Sequence, residues 1–147
     1  MNPLTFDSAQ SAGLSCAGAV RLPLGLMGFE QITDYVLIAD RNEEPFCWLQ
    51  IKDQEQLGFV LVNALQMASE YRPRITESDV ELLGIKKPKE LQILNIVTSH
   101  EDSTLTVNLK APIVINRSTK IGKQVVLAKA SGYGVQHPLA PDCFRVL

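Results

Sequence analysis

The residues of this 147-residue chain best suited to covalent or metal chemistry are two histidines, His100 and His137, and three cysteines, Cys16, Cys47 and Cys143. A protein metal site needs three or four ligands at workable spacing, most visibly as a CxxC pair. No cysteine stands in such a pair, so the sequence predicts no metal and no cofactor. An odd cysteine count fits reduced thiols better than a disulfide framework, and reduced thiols point to the cytoplasm. His100 lies in the polar stretch Ser99-His100-Glu101-Asp102 and reads as a loop histidine. His137 precedes Pro138, which biases its backbone towards extended geometry. Pairing it with Cys143 or Asp142 would give a nucleophile and base, but no local motif brings them together. Gly132-Tyr133-Gly134 lacks the third glycine and the following helix of a phosphate loop, and reads as a turn. The chain is therefore not expected to be an enzyme.

Charge offers two further sites. Lys86, Lys87 and Lys89 surround Pro88, and Arg72 and Arg74 flank Pro73. Such a patch could serve a nucleic-acid-binding β-barrel, the alternative reading. The acidic residues Glu77, Asp79 and Glu81 lie between the two basic groups and cancel much of their field, and Tyr71 is the only adjacent aromatic. The net charge of −2 also disfavours a dedicated nucleic-acid binder. A basic protein suits the acidic cluster better, so direct nucleic-acid binding is not expected.

The elements that must position these groups are mostly strands. Hydrophobic residues make up 46% and charged residues 20%, which excludes global disorder. No apolar run approaches the roughly 18 residues of a membrane span, so no membrane association is expected. Strands are predicted over residues 35–39, 46–51, 58–62, 91–98, 104–110, 113–115 and 123–128. Alternation puts Leu105, Val107 and Leu109 on one face and Asn108 on the other. The apolar phase slips between Ile93 and Leu94, which implies a bulge or burial of both faces. Pro112 marks an edge or bend. One short helix is expected, capped by Thr76 or Ser78, with Glu77, Asp79 and Glu81 complementing its dipole and Gly84 stopping it. Val80 and Leu83 share its apolar face, with Leu82 beside them. Residues 1–19 are poorly patterned, as a tail or an edge strand would be, and lack the form of a secretory signal. The whole, residues 1–147, reads as one mainly β domain: a compact antiparallel β-barrel-like fold with one short helix.

Four blocks in order carry a family resemblance. Gly25-Leu26-Met27-Gly28-Phe29-Glu30 resembles the GLPGFE block of the bacterial flagellar assembly factor FliW family, with Met27 where the block has proline. Pro45-Phe46 with Trp48-Leu49-Gln50 is similar to its PFxxLQ block, and Asn108 to Asn116 to its NLxAPIxIN block. Gly122 to Leu127, then Tyr133 and His137-Pro138-Leu139, is similar to its GxQxVL…YxxxHPL ending. The resemblance implies a barrel-like fold and a non-enzymatic cytoplasmic regulator. It implies two partners: flagellin, and the translational repressor CsrA, which the protein would stop from repressing flagellin mRNA until flagellin displaces it. Phe29, Glu30, Asn108, Gln124 and His137 are then candidate partner-binding positions, with Glu77, Asp79 and Glu81 as a second contact for a basic partner. Gly25, Gly28, Pro112 and Gly122 are expected to set backbone geometry, and Phe46, Trp48 and Leu49 to be core.

Overall fold

A computed structural model describes residues 14–43, 45–67 and 70–139. Nine strands run in chain order as β1 (Leu14–Arg21), β2 (Asp34–Asp40), β3 (Phe46–Ile51), β4 (Gly58–Val62), β5 (Leu91–Ser99), β6 (Leu105–Val107), β7 (Ile113–Asn116), β8 (Ile121–Gln124) and β9 (His137–Pro138). Two short helices, α1 (Ala64–Met67) and α2 (Glu77–Leu82), lie between β4 and β5. The sheet order is β4-β3-β2-β1-β8-β7-β5-β6-β9, and β4 also pairs with β5. That extra pairing closes seven strands into a barrel, which removes most sheet edges. Every ladder is antiparallel except β1 with β8, joined at Arg21↔Ile121. The β6–β9 pair stands outside the ring as a flap on β5.

The strand periodicity sorts side chains into two cores. Val20, Tyr35, Leu37, Leu49, Phe59, Leu61, Leu94, Ile96, Ile113 and Ile115 pack together inside the barrel. A second cluster lies on its outer wall, where Ile93, Val97 and Val114 meet Val107 and Leu109, Tyr71 and Leu83. The phase slip in β5 is thus burial of both faces: Leu94 and Ile96 point in, while Ile93, Asn95 and Val97 point out under the flap and helices. Each such apolar side chain stabilises the fold by about 1.5–3 kcal/mol relative to exposure. Asn95 holds the outer layer together, donating to Tyr71 Oη at 3.1 Å and to the Asn108 carbonyl at 2.9 Å. Tyr71 in turn donates to the Leu109 carbonyl at 2.7 Å.

Several boundaries differ from the sequence reading. The end of the poorly patterned N-terminal segment, from Leu14 on, is strand: β1 carries Ala17-Gly18-Ala19, whose small side chains hide the alternation, and is held by β2 along its length. The strand expected over 104–110 stops at Val107, where Asn108 forms a turn. The short β9 was not expected, and the strand expected over 123–128 lies earlier, at Ile121–Gln124. Beyond it, Val125 and Leu127 still donate backbone bonds to Pro112 and Lys110 carbonyls, but Pro112 has no N–H to return and the ladder lapses. A second helix, α1, was not expected. Its start is set by Asn63, whose side chain accepts from Leu65 N–H. Among the described residues no helix is long and apolar enough to cross a membrane.

Candidate partner-binding surface

The first sequence block builds a tight double turn between β1 and β2. Gly25 sits at φ +67, buried, where an added Cβ would fall 2.6 Å from the Phe29 carbonyl oxygen. Gly28 follows at φ +89. Phe29 N–H donates to Leu26 O at 2.7 Å, and the Phe29 ring turns inward to meet Phe59 edge-on at 5.2 Å between centroids. Phe29 is therefore a half-buried anchor of the turn. Glu30 is exposed, and its carboxylate accepts from Gly28 N–H at 2.9 Å. That bond holds the Glu30 carboxyl below the usual carboxylate range.

Gln124 ties this turn to the rest of the sheet. Its side-chain oxygen accepts from Met27 N–H at 2.8 Å, and its Nε2 donates to Ala111 O at 3.1 Å. A proline at position 27 could not make the first bond, because it has no N–H. Asn108 acts similarly on the next loop, its Oδ1 accepting from Lys110 and Ala111 N–H groups. Both side chains look like solvated sheet positions in sequence; in the fold their amides are spent on loop geometry.

Helix α2 lies beside β8. Thr76 caps it, accepting from Asp79 N–H at 3.2 Å and donating its hydroxyl to Asp79 Oδ2 at 3.0 Å. Gly84 ends it at φ +66, as expected. Asp79 does not stand out towards a partner, contrary to the sequence reading. Its side chain is 12% exposed and accepts from Lys123 Nζ at 2.6 Å. The Lys123 ammonium, with help from the Thr76 hydroxyl, holds the Asp79 carboxyl below its ordinary range. Glu77 and Glu81 are exposed on the same helix. Leu82 is exposed as well, while Leu83 is the residue that enters the outer core.

These pieces adjoin one another. Pro23 and Leu24 of the first loop, Leu82 and Leu83 at the end of α2, and Ile121 and Lys123 of β8 line a groove of about 190 Å³. Leu24 and Leu82 are 61% and 65% exposed, which is high for aliphatic side chains standing side by side. None of the predicted contact residues lines this groove itself; Asp79 meets it through its ion pair with Lys123, and Glu81 and Gln124 are chain neighbours of the lining residues Leu82 and Lys123. His137 lies apart, exposed on the flap and paired with Val107. Cys143 and Asp142 fall outside the described residues. Among those described, no group of three His, Cys, Asp or Glu side chains is arranged to hold a metal ion. Sequence reasoning missed the groove because its aliphatic wall comes from three segments as far apart as residues 23 and 123.

Residues 9–139 match the sequence model of the family described as FliW protein. The chain belongs to the FliW family. It is 37% identical over 130 residues to the flagellar assembly factor FliW of Geobacter sulfurreducens, covering 88% of this chain and 80% of that one. It is 39% identical over 106 residues to FliW of Leptospira interrogans, covering 71% of each. A crystal structure of the flagellar assembly factor FliW shares the fold at a TM-score of 0.74 and 32% identity, over 84% of this chain and 86% of that one. Within the FliW fold, the four sequence blocks correspond to the first double turn, β3, the β6–β7 connection with β7, and β8 through the flap.

Proposed function

We propose that this protein is a non-enzymatic, cytoplasmic regulator of flagellar assembly that binds flagellin and antagonises the translational repressor CsrA by exchanging one partner for the other. Family membership supports the assembly role, and the observation that carries the binding role is the exposed groove between the first loop, α2 and β8. Leu24, Leu82 and Ile121 offer apolar anchors there, and Glu77 and Glu81 place negative charge on the adjoining helix. An apolar centre with a charged rim is the usual anatomy of a protein interface. Its acidic rim favours a basic partner and speeds encounter at low salt.

The alternative, direct nucleic-acid binding by Arg72, Arg74, Lys86, Lys87 and Lys89, has less to support it. None of the large apolar side chains exposed among the described residues is aromatic, so the described surface offers bases no exposed aromatic platform. Tyr71 is buried against Tyr133 at 4.8 Å between ring centroids.

Calorimetric titration with flagellin and with CsrA, singly and in competition, tests the proposal. Mutual displacement is the expected result. Binding to neither partner would overturn the regulatory reading, and a shift of labelled RNA at low salt without CsrA would favour the alternative.

A further inference from the structure

The barrel has a second concavity, separate from the groove, at the mouth where β1 and β2 face the β7–β8 turn. Register places Gly18 opposite Leu37 and Gln92 opposite Ile115, all on the inner side of the wall. Val20, Leu37 and Ile115, core side chains of which Leu37 is the most exposed at 8%, lie at its floor, and the cavity measures about 250 Å³. Gly18 leaves this mouth open. Its φ is ordinary, and an added Cβ would meet no atom within 4 Å.

Two cations stand on the rim. Arg117 and Lys120 occupy the β7–β8 turn, and both line the cavity. Among the described residues neither has a carboxylate partner; the one ion pair there is Lys123 with Asp79. The turn is fixed independently of any ligand. Asn116 Oδ1 accepts from Ser118 N–H at 2.9 Å, and Asn116 Nδ2 donates to Leu83 O at 2.8 Å. Arg117 N–H donates to Glu90 O at 2.7 Å, and Lys120 O accepts from Arg21 N–H at 2.9 Å. Lys120 holds φ +63 within this frame. The rim charges are therefore carried on a pinned backbone, which lowers the ordering cost of binding.

An apolar floor under a cationic rim selects a molecule with a short apolar body and one anionic head. The volume lies just below the usual range for drug-sized ligands, so the body must be short. We propose that the barrel mouth binds a short aliphatic carboxylate, its chain on Val20, Leu37 and Ile115 and its carboxylate between Arg117 and Lys120. Gln92 adds a polar group on the same wall. This site is independent of the partner groove.

The test is an amide-resolved NMR titration of the full chain with hexanoate, with hexylamine and hexanol as controls. Saturable shifts at Gly18, Gln92 and Lys120 with hexanoate alone are expected. Replacing both cations (Arg117→Gln with Lys120→Gln) should weaken binding about ten-fold or more, the scale of losing charge-assisted hydrogen bonds. Gly18→Val should abolish binding while leaving the melting temperature unchanged or higher, since valine suits a strand with open space beside it. Equal binding of hexylamine, undiminished affinity in the double variant, or no saturation at millimolar hexanoate would each overturn the proposal. A pentapeptide ending in a free leucine carboxylate that binds where hexanoate does not would overturn the assignment to a free acid.

Discussion

The Lys123–Asp79 pair holds α2 on the barrel, and its loss can be worked through quantitatively. Asp79→Asn keeps the side chain's size but only one of its two acceptor oxygens; with that oxygen on the Thr76 hydroxyl, the helix cap survives, and the charge and the acceptor that faces Lys123 are removed. A hydrogen bond to a charged group contributes about 1.5–3 kcal/mol. Lys123 is 28% exposed, so water screens part of this, and about 1–2 kcal/mol is the expected loss. For a chain of this length that corresponds to a fall in Tm of roughly 3–8 °C. Lys123→Met should cost a similar amount, and the double variant should fall short of the sum by about 1 kcal/mol, the coupling of the pair. The pH dependence has a definite sign. The folded-state pKa of Asp79 lies below its unfolded value of 3.8. Its contribution is therefore fully present above the unfolded pKa and disappears as pH falls through the folded one. The gap between the parent and Asp79→Asn should stay constant from about pH 5 to 8 and close below about pH 4. Urea unfolding across that range, at low and high salt, provides the assay. A gap under about 0.5 kcal/mol at neutral pH, the ordinary range for surface substitutions, would refute the assignment of the pair as an anchor, as would a gap indifferent to acid.

Four further outcomes follow from the same geometry. Gln124→Ala should cost about 1–2 kcal/mol by stranding the Ala111 carbonyl and freeing the Met27 amide, whose hydrogen exchange should accelerate. Gly25→Ala should lower stability by more than Gly28→Ala, because both add a side chain at positive φ but only the first strikes backbone; paired thermal melts measure the difference. Leu82→Glu should change stability by less than about 0.5 kcal/mol yet weaken binding of a protein partner, read by calorimetry. Reversing Glu77 and Glu81 to lysine should slow association with CsrA and flatten its salt dependence in stopped flow; unchanged kinetics would remove them from the interface.

How much of this was legible depended on whether a residue's task was local. Strands β2 to β5 show β-branched and aromatic runs bounded by turn residues, and the sequence reading placed them to within a residue or two. The Thr76 cap and the Gly84 stop are equally local, since each acts within one turn of helix. Strand β1 was obscure because Ala17, Gly18 and Ala19 carry too little side chain to show a period. Gln124 and Asp79 were singled out as contacts, but their partners lie far along the chain: Met27 is 97 residues from Gln124, and Lys123 is 44 from Asp79. No periodicity encodes such pairs. Asn108 was read as facing outward because alternation was carried one residue past the true strand end. The groove is the least legible feature, being made from side chains that each look like scattered surface leucine or isoleucine.

The single parallel contact that completes the barrel also bears on how the molecule is made. Arg21 and Ile121 stand one hundred positions apart, and the ring cannot shut until both are present. A ribosome adding about 5–20 residues per second delivers the second several seconds after the first. Bringing ends so distant together costs about 4 kcal/mol of chain entropy before any contact rewards it. During synthesis β1 can pair with β2 as a hairpin, yet its other side must wait, and the nascent chain carries an incomplete ring until β8 clears the exit tunnel. Closed protein thus appears only once the β7–β8 stretch has been made. Slow translation of that stretch would lengthen the interval in which a partly built sheet meets other chains.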